Sequence, residues 1–352
     1  MAAREGVVTT PEVEVPARAS SALRDLGAPR SFYRDPDGNV RRNLPPRELA
    51  AVVAAGAGSL WVDIDTTNPH QFALLEKIFS FHPLAIEDTL NPSTRVKLEE
   101  YDGFLFLVIR GVKFVEQTDD PYDLETFNLN FFLGRNYLVS VHTEVSPSLD
   151  AVAERLERTP DALTRGPALL MHAIMDMSVD AYFPILDQID EFVDGLEERV
   201  FVEFDETALR DIFSVKRLVL SLRRHLSPQR EVFNILTNRP SALLSHETQL
   251  YFRDVYDHVL RINEALETYR ELLSSTLDSY LTQVSNRLGK VTKGLSVVAT
   301  VSIPFVVVSG MWGMNFIRIP LAETSYGFWL MLVLQLVIGF GLLALLHWRK
   351  LL

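Results

Sequence analysis

The chain has 352 residues, of which 47% are hydrophobic and 23% charged, and its formal net charge is −12. It contains no cysteine, which excludes a disulfide scaffold, a thiolate zinc site and cysteine catalysis, and its acidic balance argues against general nucleic-acid binding. A mean hydropathy of +0.10 is high for an acidic soluble protein and indicates that part of the chain is strongly apolar.

The first half of the chain has the pattern of a mixed α/β domain. Residues 1–30 lack apolar periodicity and are expected to form a poorly ordered tail. Residues 31–160 alternate between strand-like and helical segments, as in a cytosolic α/β domain. We expect two short strands within 31–43 and further strands at 60–64, 104–109, 126–133 and 137–142. We expect helices near 46–54, 71–78 and 148–157.

The next segment, 161–240, is predicted to be a charged antiparallel helix pair. A helix is expected over 168–202, and residues 187–206 carry nine acids against one base, Arg199. A second helix, over 206–226, is rich in arginine and lysine. The acidic and basic surfaces either face each other or are solvated separately, and the sequence leaves both arrangements open.

A long stalk helix is predicted over 241–294. No proline occurs from residue 241 to 303, and apolar residues recur about every 3.6 positions from Val255 to Leu295. That period is typical of a nearly straight α-helix, and such a helix of 63 residues would be roughly 95 Å long. A single rod with an apolar stripe needs neighbours, so we expect packing against its own chain or against other copies.

Two uncharged runs near the C-terminus are long enough to cross a bilayer. We predict transmembrane helix 1 at 295–314, an extracytoplasmic loop at 315–327, and transmembrane helix 2 with a basic C-terminus at 328–352. Buried core helices are the alternative. The flanking basic residues place both termini in the cytoplasm, and no signal-peptide pattern precedes them. The charge from residue 287 onward is +5, which leaves −17 for the preceding part.

Several short motifs, spread from residue 82 to residue 315, are typical of one protein family. They are Gly313-Met314-Asn315 at the end of the first apolar run, HPLAIED at 82–88, YFRDVYD at 251–257 and VSN at 284–286. With these motifs the chain, from about residue 59 to its end, resembles the CorA family of divalent-cation channels, the two-transmembrane GxN proteins.

The resemblance implies an α+β fold and an ion path. It implies an N-terminal cytosolic α/β domain, a stalk helix continuous with the first of two transmembrane helices, and a funnel-shaped homopentamer in the bacterial cytoplasmic membrane. The selectivity filter would be Gly313, Met314 and Asn315. The pore-lining and gate positions would be Asp278, Thr292, Leu295, Ile303 and Gly310.

The residue types at the implied filter and gate suit the passage of a hydrated divalent cation. A ring of Asn315 amide oxygens would bind hydrated Mg²⁺ through its waters without trapping it. Leu295 and Ile303 would form a hydrophobic constriction that gates by dewetting. The alternatives are that Asn315 is a helix cap or turn residue and that the others only pack or face lipid.

The resemblance also implies a regulatory metal site in the cytosolic part. Asp88 and Asp254, with Glu87 and Asp257 nearby, would face each other across a subunit interface, where a bound Mg²⁺ relieves the repulsion of like charges. The alternative is that Asp88 caps a helix and Asp254 pairs with an arginine. Ala181, which follows Asp180, stands where a further family acid is expected and puts a second regulatory site in doubt.

The nature of the transported ion stays open between Mg²⁺ and Zn²⁺, Co²⁺ or Ni²⁺. Arg318 lies close to the filter tripeptide, and Glu323 is the first acid after it. The leading hypothesis is a channel that imports Mg²⁺; the alternatives are a zinc-transporting relative and a membrane-anchored oligomeric scaffold or sensor. The expected partners are other copies of the chain and membrane lipid, with neither nucleic acid nor a small-molecule substrate other than metal ions. An enzyme is least favoured, because no nucleophile–base pattern is evident.

Overall fold

The computed structural model describes residues 28–114, 124–203, 205–314 and 324–349. Contacts between residues divide the chain into two compact units. The first unit comprises Met1–Gly195 and Arg210–Leu273, and the second comprises Leu196–Leu209 and Ser274–Leu352. The tail predicted for 1–30 lies outside the described residues except at its end, where Arg30 already belongs to a strand.

A mixed sheet forms the centre of the first unit. Its strands are β1 (Arg30–Arg34), β2 (Val40–Arg42), β3 (Ser59–Asp65), β4 (Lys97–Tyr101), β5 (Phe104–Phe114), β6 (Leu124–Gly134) and β7 (Tyr137–His142). Their order in the sheet is β2-β1-β3-β7-β6-β5-β4. The β3–β7 pair is parallel, and the other pairs are antiparallel.

Among the described residues, four helices lie between the strands in the sequence, and the others follow the last strand. The helices are α1 (Pro46–Ala55), α2 (Pro69–Phe72), α3 (Leu74–Lys77), α4 (Pro83–Leu90), α5 (Pro147–Arg158), α6 (Pro167–Asp180), α7 (Phe183–Glu198), α8 (Ala208–Asn238), α9 (His246–Trp312) and α10 (Gly327–Trp348). A 3-10 helix at Pro160–Arg165 joins α5 to α6, and a π-helical segment at Arg199–Glu203 follows α7. The predicted α+β class with a long helix is therefore confirmed.

The sheet is covered on both faces. Because side chains alternate along a strand, Leu60, Val62 and Ile64 of β3 join the core beneath α1, α3 and α4. Trp61 and Asp63 point to the other face, where α6 packs against β3, β5, β6 and β7. Burial of both faces at these positions explains why apolar residues occupy adjacent positions of β3, at Leu60, Trp61 and Val62, rather than alternate ones.

The predicted strands are confirmed, but the sequence reading missed two elements. Strand β4 has the sequence KLEEY and lies at the sheet edge beside β5, so its three charged residues hide it from a hydrophobic pattern. Helix α4 begins at Pro83, after His82 as N-cap. The helix predicted at 71–78 is two short helices, α2 and α3, which meet at Ala73.

The helix boundaries predicted for 168–226 were partly wrong. The expected helix at 168–202 is broken at Ala181 and Tyr182, where the Tyr182 hydroxyl donates to the Arg110 carbonyl oxygen at 3.0 Å. Pro184 occupies the first turn of α7, where the missing N–H costs nothing. The basic helix extends to Asn238, past Pro228, rather than ending near residue 226.

Both charged helices contact α9. Arg223 of α8 lies 2.6 Å from Glu267 of α9. Burial, and after it a hydrogen bond from Tyr269 to Asp190 of α7, raises the pKa of Tyr269 to about 12. The acidic helix α7 and the basic helix α8 therefore each place a charged side chain in contact with α9. Whether the charged surfaces of α7 and α8 also face each other stays open.

The apolar stripe of α9 is buried along only part of its length. Val255, Val259, Ile262, Leu266, Tyr269, Leu273 and Tyr280 are buried, whereas Val284, Leu288, Val291 and Leu295 are exposed. The sequence period is the same on both sides of this change. The exposed part is the segment that needs lipid or other chains as neighbours.

Three helical segments among the described residues are long and apolar enough to cross a membrane. They are Pro167–Phe201, His246–Trp312 and Gly327–Trp348. Half of the apolar window of the first is buried within the protein, against 0% and 11% for the other two. Packing of α6 on the sheet accounts for the apolar character of the first segment, so the other two remain the candidate spans.

Candidate metal sites and the candidate pore helix

Helix α4 carries the first pair of candidate carboxylates, Glu87 and Asp88. His82 caps the helix, since its Nδ1 accepts a hydrogen bond from the Leu84 N–H at 3.2 Å, and Pro83 fits the first helical position. Glu87 is exposed and Asp88 is half-buried. Asp88 lies near the helix end and is not its N-cap, which excludes that alternative role.

Asp88 belongs to a network with charged residues of β4. The Lys97 ammonium lies 2.7 Å from Asp88 Oδ2 and 2.7 Å from Glu99 Oε1. The other Glu99 oxygen, Oε2, accepts the Tyr101 hydroxyl at 2.9 Å. Lys97, Glu99 and Tyr101 share one face of β4 because alternate residues of a strand point the same way.

Hydrogen bonds fix the loop between α4 and β4. The Thr94 hydroxyl donates to the Asp88 carbonyl oxygen at 2.9 Å. The Arg110 guanidinium donates to the carbonyl oxygens of Pro92 and Thr94, and the Asn128 amide donates to Pro92 as well. The position of Asp88 relative to Lys97 is thus set by the sheet.

The second pair of candidate carboxylates, Asp254 and Asp257, lies on α9. Both are exposed, and the Asp254 side chain is 74% accessible. Asp254 Oδ2 lies 4.0 Å from Nε2 of His258, one turn along the helix. Among the described residues the side chain that lies within 4.0 Å of the Asp254 carboxylate is the His258 imidazole, so the alternative pairing with an arginine is not found there. The resemblance places the meeting of Asp254 with Asp88 between subunits, so that contact stays a prediction.

A third group, which the sequence reading missed, joins α6 to α9. His258 Nδ1 lies 2.9 Å from Asp180 Oδ1 and 4.0 Å from Asp176 Oδ1. One ligand atom of each residue lies within 4.8 Å of the others. Burial, and after it the charge of Asp180, raises the pKa of Asp176. Carboxylate and imidazole ligands together suit transition ions such as Zn²⁺, Co²⁺ and Ni²⁺.

The Asp176 carboxylate has one unsatisfied oxygen. Asp176 Oδ1 is buried and has no hydrogen-bond partner, and the residue also lines a cavity of about 270 Å³ in the first unit. The available sequence signal was the i, i+4 spacing of Asp176 with Asp180 and of Asp254 with His258, which puts each pair on one helix face. Ala181, where the resemblance leads one to expect a further acid, is the C-cap residue of α6. The acids of α6 that reach His258 are Asp176 and Asp180.

A separate buried charge network lies on the face of β3 that carries Asp63, opposite to the face that carries Leu60, Val62 and Ile64. Asp63, with its side chain 3% exposed, binds Arg30 and accepts the Ser140 hydroxyl at 2.6 Å. Burial by itself raises the pKa of Asp63, but His142, Arg30 and Ser140 outweigh it and hold the pKa below its usual range. Burial likewise lowers the pKa of His142, but Asp63 outweighs it and the pKa is raised. Arg30 also binds Asp150 of α5 at 2.6 Å, so the network joins β1, β3, β7 and α5.

The predicted pore-lining positions lie on the surface of α9. Asp278, Thr292, Leu295, Ile303 and Gly310 are all exposed, with Leu295 69% and Ile303 59% accessible. The hydroxyls of Thr282, Ser296 and Thr300 donate to the backbone four residues earlier, as Ser296 does to Thr292 at 2.8 Å. These three hydroxyls are thus satisfied by the backbone of the helix itself.

The tripeptide predicted to be the selectivity filter lies at the end of α9. The helix ends at Trp312, and the Gly313 N–H donates to the Ser309 carbonyl oxygen at 2.9 Å. Gly313 and Met314 are exposed. Asn315, together with Arg318 and Glu323, lies outside the described residues, so the filter role of Asn315 stays a prediction.

Helix α10 is attached to α9 just before this tripeptide. The Gln335 amide nitrogen donates to Ser309 Oγ at 2.9 Å and to the Phe305 carbonyl oxygen at 3.4 Å, and Gln335 is buried. One turn further on, a Cβ placed on Gly339 would meet the Phe305 ring at 2.7 Å. These contacts fix the register of the two apolar helices.

Comparisons with known proteins point to one family. The family described as CorA-like Mg²⁺ transporter protein matches residues 56–349. The putative metal ion transporter YfjQ of Bacillus subtilis is 35% identical over 283 residues, which cover 80% of this chain and 86% of that protein. The cobalt/magnesium transport protein CorA of Thermotoga maritima is 31% identical over 283 residues, covering 79% of each. The solved CorA magnesium transporter of Methanocaldococcus jannaschii shares the fold, with a TM-score of 0.76 at 20% identity, covering 90% of this chain and 97% of that one.

Proposed function

Because the chain belongs to the family of CorA-like Mg²⁺ transporter proteins, we propose that it is a homopentameric channel that imports Mg²⁺ across the bacterial cytoplasmic membrane. The observation that carries the proposal is the length and burial of α9. It is a single helix of 67 residues whose apolar stripe is buried by its own chain near its start, and the Gly313-Met314-Asn315 tripeptide follows its last residue. Its apolar surface is exposed from Val284 onward, which is the part that would line a shared pore and contact lipid.

The chain crosses the membrane twice in this proposal. The C-terminal part of α9 and the whole of α10 are the spans, with 0% and 11% of their apolar windows buried within the chain. Arg287, Lys290 and Lys293 precede the first span, and Arg349 follows the second. By the positive-inside rule both termini are cytoplasmic.

Two helices cannot enclose a polar path, so the pore is formed by several copies around an axis. Exposed Leu295 and Ile303 are the hydrophobic constriction, and a ring of Asn315 amides with Gly313 and Met314 is the filter. Neutral oxygens bind hydrated Mg²⁺ weakly enough to release it. Thr292 and Asp278 line the cytosolic approach, where a carboxylate attracts cations.

Cytosolic Mg²⁺ closes the channel by binding between subunits at Asp88 and Asp254, with Glu87 and Asp257 nearby. The exposure of Asp254, Asp257 and Glu87 supports a role at a surface between copies. Bound Mg²⁺ neutralises their mutual repulsion, and its loss frees the subunits to move apart. The result is negative feedback on uptake.

Metal uptake into proteoliposomes tests the proposal. The full-length protein should take up Mg²⁺, and Asn315→Ala should abolish selective uptake. Asp254→Lys should reduce inhibition by Mg²⁺ on the cytosolic side, whereas Asp37→Lys, a change of the same charge at an exposed turn remote in sequence, should not. The absence of uptake of any divalent ion would instead favour the membrane-anchored scaffold.

A second candidate function is transport of a transition ion. The observation that favours it is the imidazole of His258 beside Asp176 and Asp180, since nitrogen ligands select Zn²⁺, Co²⁺ and Ni²⁺ over Mg²⁺. The Thermotoga maritima relative is named a cobalt/magnesium transport protein. Competition of Mg²⁺ uptake by each of these ions distinguishes the two candidates.

A further inference from the structure

The regulatory carboxylate Asp88 already holds a cation that belongs to the chain itself. Lys97 Nζ lies 2.7 Å from Asp88 Oδ2, and it lies at the same distance from Glu99 Oε1. All three side chains are about one-quarter to two-fifths exposed, so the pair is neither buried from the solvent nor fully hydrated. A divalent ion that approaches Asp88 therefore meets an ammonium group in the place it would occupy.

We propose that Lys97 is a tethered competitor that sets the Mg²⁺ concentration at which the channel closes. The inference rests on the proposed function, since it assumes that Asp88 is a ligand of the regulatory ion. When Mg²⁺ is scarce, the ammonium group is shared between Asp88 and Glu99 and offsets only part of their charge, so Asp88 still repels the acids of the neighbouring subunit. When Mg²⁺ binds, Lys97 must leave the carboxylate or stay beside a doubly charged cation, and either course weakens binding.

The position of Lys97 is built into the sheet. Lys97 is the first residue of β4 and pairs with Val108 of β5, and its ammonium group lies 5.5 Å from the centre of the buried Phe106 ring. This cation–π contact and the apolar stem of the lysine favour the present rotamer. Since the Thr94 hydroxyl also donates to the Asp88 carbonyl oxygen and so fixes the backbone there, the ammonium group and the Asp88 carboxylate stay in contact.

Removing the lysine charge should increase the demand for a divalent ion. Asp88 Oδ2 and Glu99 Oε1 both contact one nitrogen, so they are within about twice the 2.7 Å contact distance of each other. Without the ammonium group these two carboxylates repel, and a cation bound between them relieves the repulsion. Loss of Lys97 therefore strengthens inhibition, whereas loss of Asp88 abolishes it.

The test is the cytosolic Mg²⁺ concentration that halves uptake into proteoliposomes by the full-length protein. Lys97→Met should lower it about threefold to fivefold, which is the strength of a partly exposed ion pair. Lys97→Arg, which keeps the charge, should stay close to the wild type. The matched control is Lys113→Met: Lys113 also bridges two carboxylates, Glu125 at 3.1 Å and Glu144 at 2.6 Å, and is 30% exposed, but neither acid is a proposed ligand.

A second measurement keeps the inference testable when a variant transports poorly. Thermal stabilisation of the detergent-solubilised protein by added Mg²⁺ should reach half its maximum at a threefold to fivefold lower concentration in Lys97→Met. An unchanged or higher value in Lys97→Met, with inhibition lost in Asp88→Asn, refutes the competitor while the sensor stands. A shift of equal size in Lys97→Arg or Lys113→Met also refutes it. Unaltered inhibition in Asp88→Asn refutes the proposed sensor itself.

Discussion

The hydrogen bond between Gln335 of α10 and Ser309 of α9 should hold the C-terminal part of α9 in register with α10. We consider Gln335→Leu, which removes the donor to Ser309 Oγ at 2.9 Å and keeps a side chain of similar volume. In apolar surroundings such a bond contributes on average about 0.6 kcal/mol and at most about 1.7 kcal/mol. Ser309 can turn its hydroxyl toward the carbonyl oxygen four residues earlier, so we expect a loss of about 1 kcal/mol or less.

A double-mutant cycle isolates this contribution. If the two side chains act on each other, Gln335→Leu, Ser309→Ala and the double variant should lower the unfolding temperature of the detergent-solubilised protein by similar amounts, because the bond is lost once. Val337→Leu is the control on the same helix, since Val337 is 62% exposed within the chain. Uptake of Mg²⁺ should fall in the Gln335 and Ser309 variants, because Ser309 directly precedes Gly310, which is one of the proposed pore-lining positions.

Strictly additive effects of Gln335→Leu and Ser309→Ala would refute the reasoning, since independent losses mean that the residues do not form a stabilising bond. A steric variant provides a second check. A Cβ on Gly339 would lie 2.7 Å from the Phe305 ring, so Gly339→Leu should destabilise by about 1–3 kcal/mol through overpacking. Wild-type stability in Gly339→Leu would show that α10 does not pack on α9 at this register.

The remaining predictions concern the charge network, the gate and ion choice. Asp63→Asn leaves Arg30 without its buried partner and should destabilise the full-length protein by about 2–4 kcal/mol, measured by its thermal unfolding. Because Asp63 raises the pKa of His142, the stabilisation from this pair is fully present below the ordinary histidine pKa of about 6.5 and is lost as pH rises through the raised value; His142→Gln should therefore flatten the dependence of unfolding temperature between about pH 6 and pH 8. Leu295→Ser and Ile303→Ser should each raise uptake at inhibitory Mg²⁺ concentrations, because a wetted constriction conducts; tighter closure in either variant argues against a dewetting gate. His258→Ala should weaken Co²⁺ and Zn²⁺ binding more than Mg²⁺ binding, since a nitrogen ligand is lost, and calorimetric titration of each ion measures the difference.

The sequence by itself determined those features that depend on neighbouring residues. The short apolar run of Tyr137–His142 indicated β7, and the apolar period from Val255 to Leu295 indicated one uninterrupted helix, because a short apolar run and a period of 3.6 residues are both local properties. The uncharged length of Gly327–Trp348 specified a candidate span for the same reason. The Gly313-Met314-Asn315 tripeptide, in that context, pointed to the family.

The tertiary structure decided which of these patterns are covered and which charges meet. Val259 and Leu288 belong to one periodic stripe, but only Val259 is buried by its own chain, and no local pattern records where the neighbours of a helix end. Strand β4 exists through its pairing with β5, and its Lys97 reaches Asp88 across a loop. Asp180 and His258 are 78 residues apart in the chain and meet because α6 and α9 pack together. Burial and charge pairing depend on groups distant in sequence, so they are fixed only when the chain has folded.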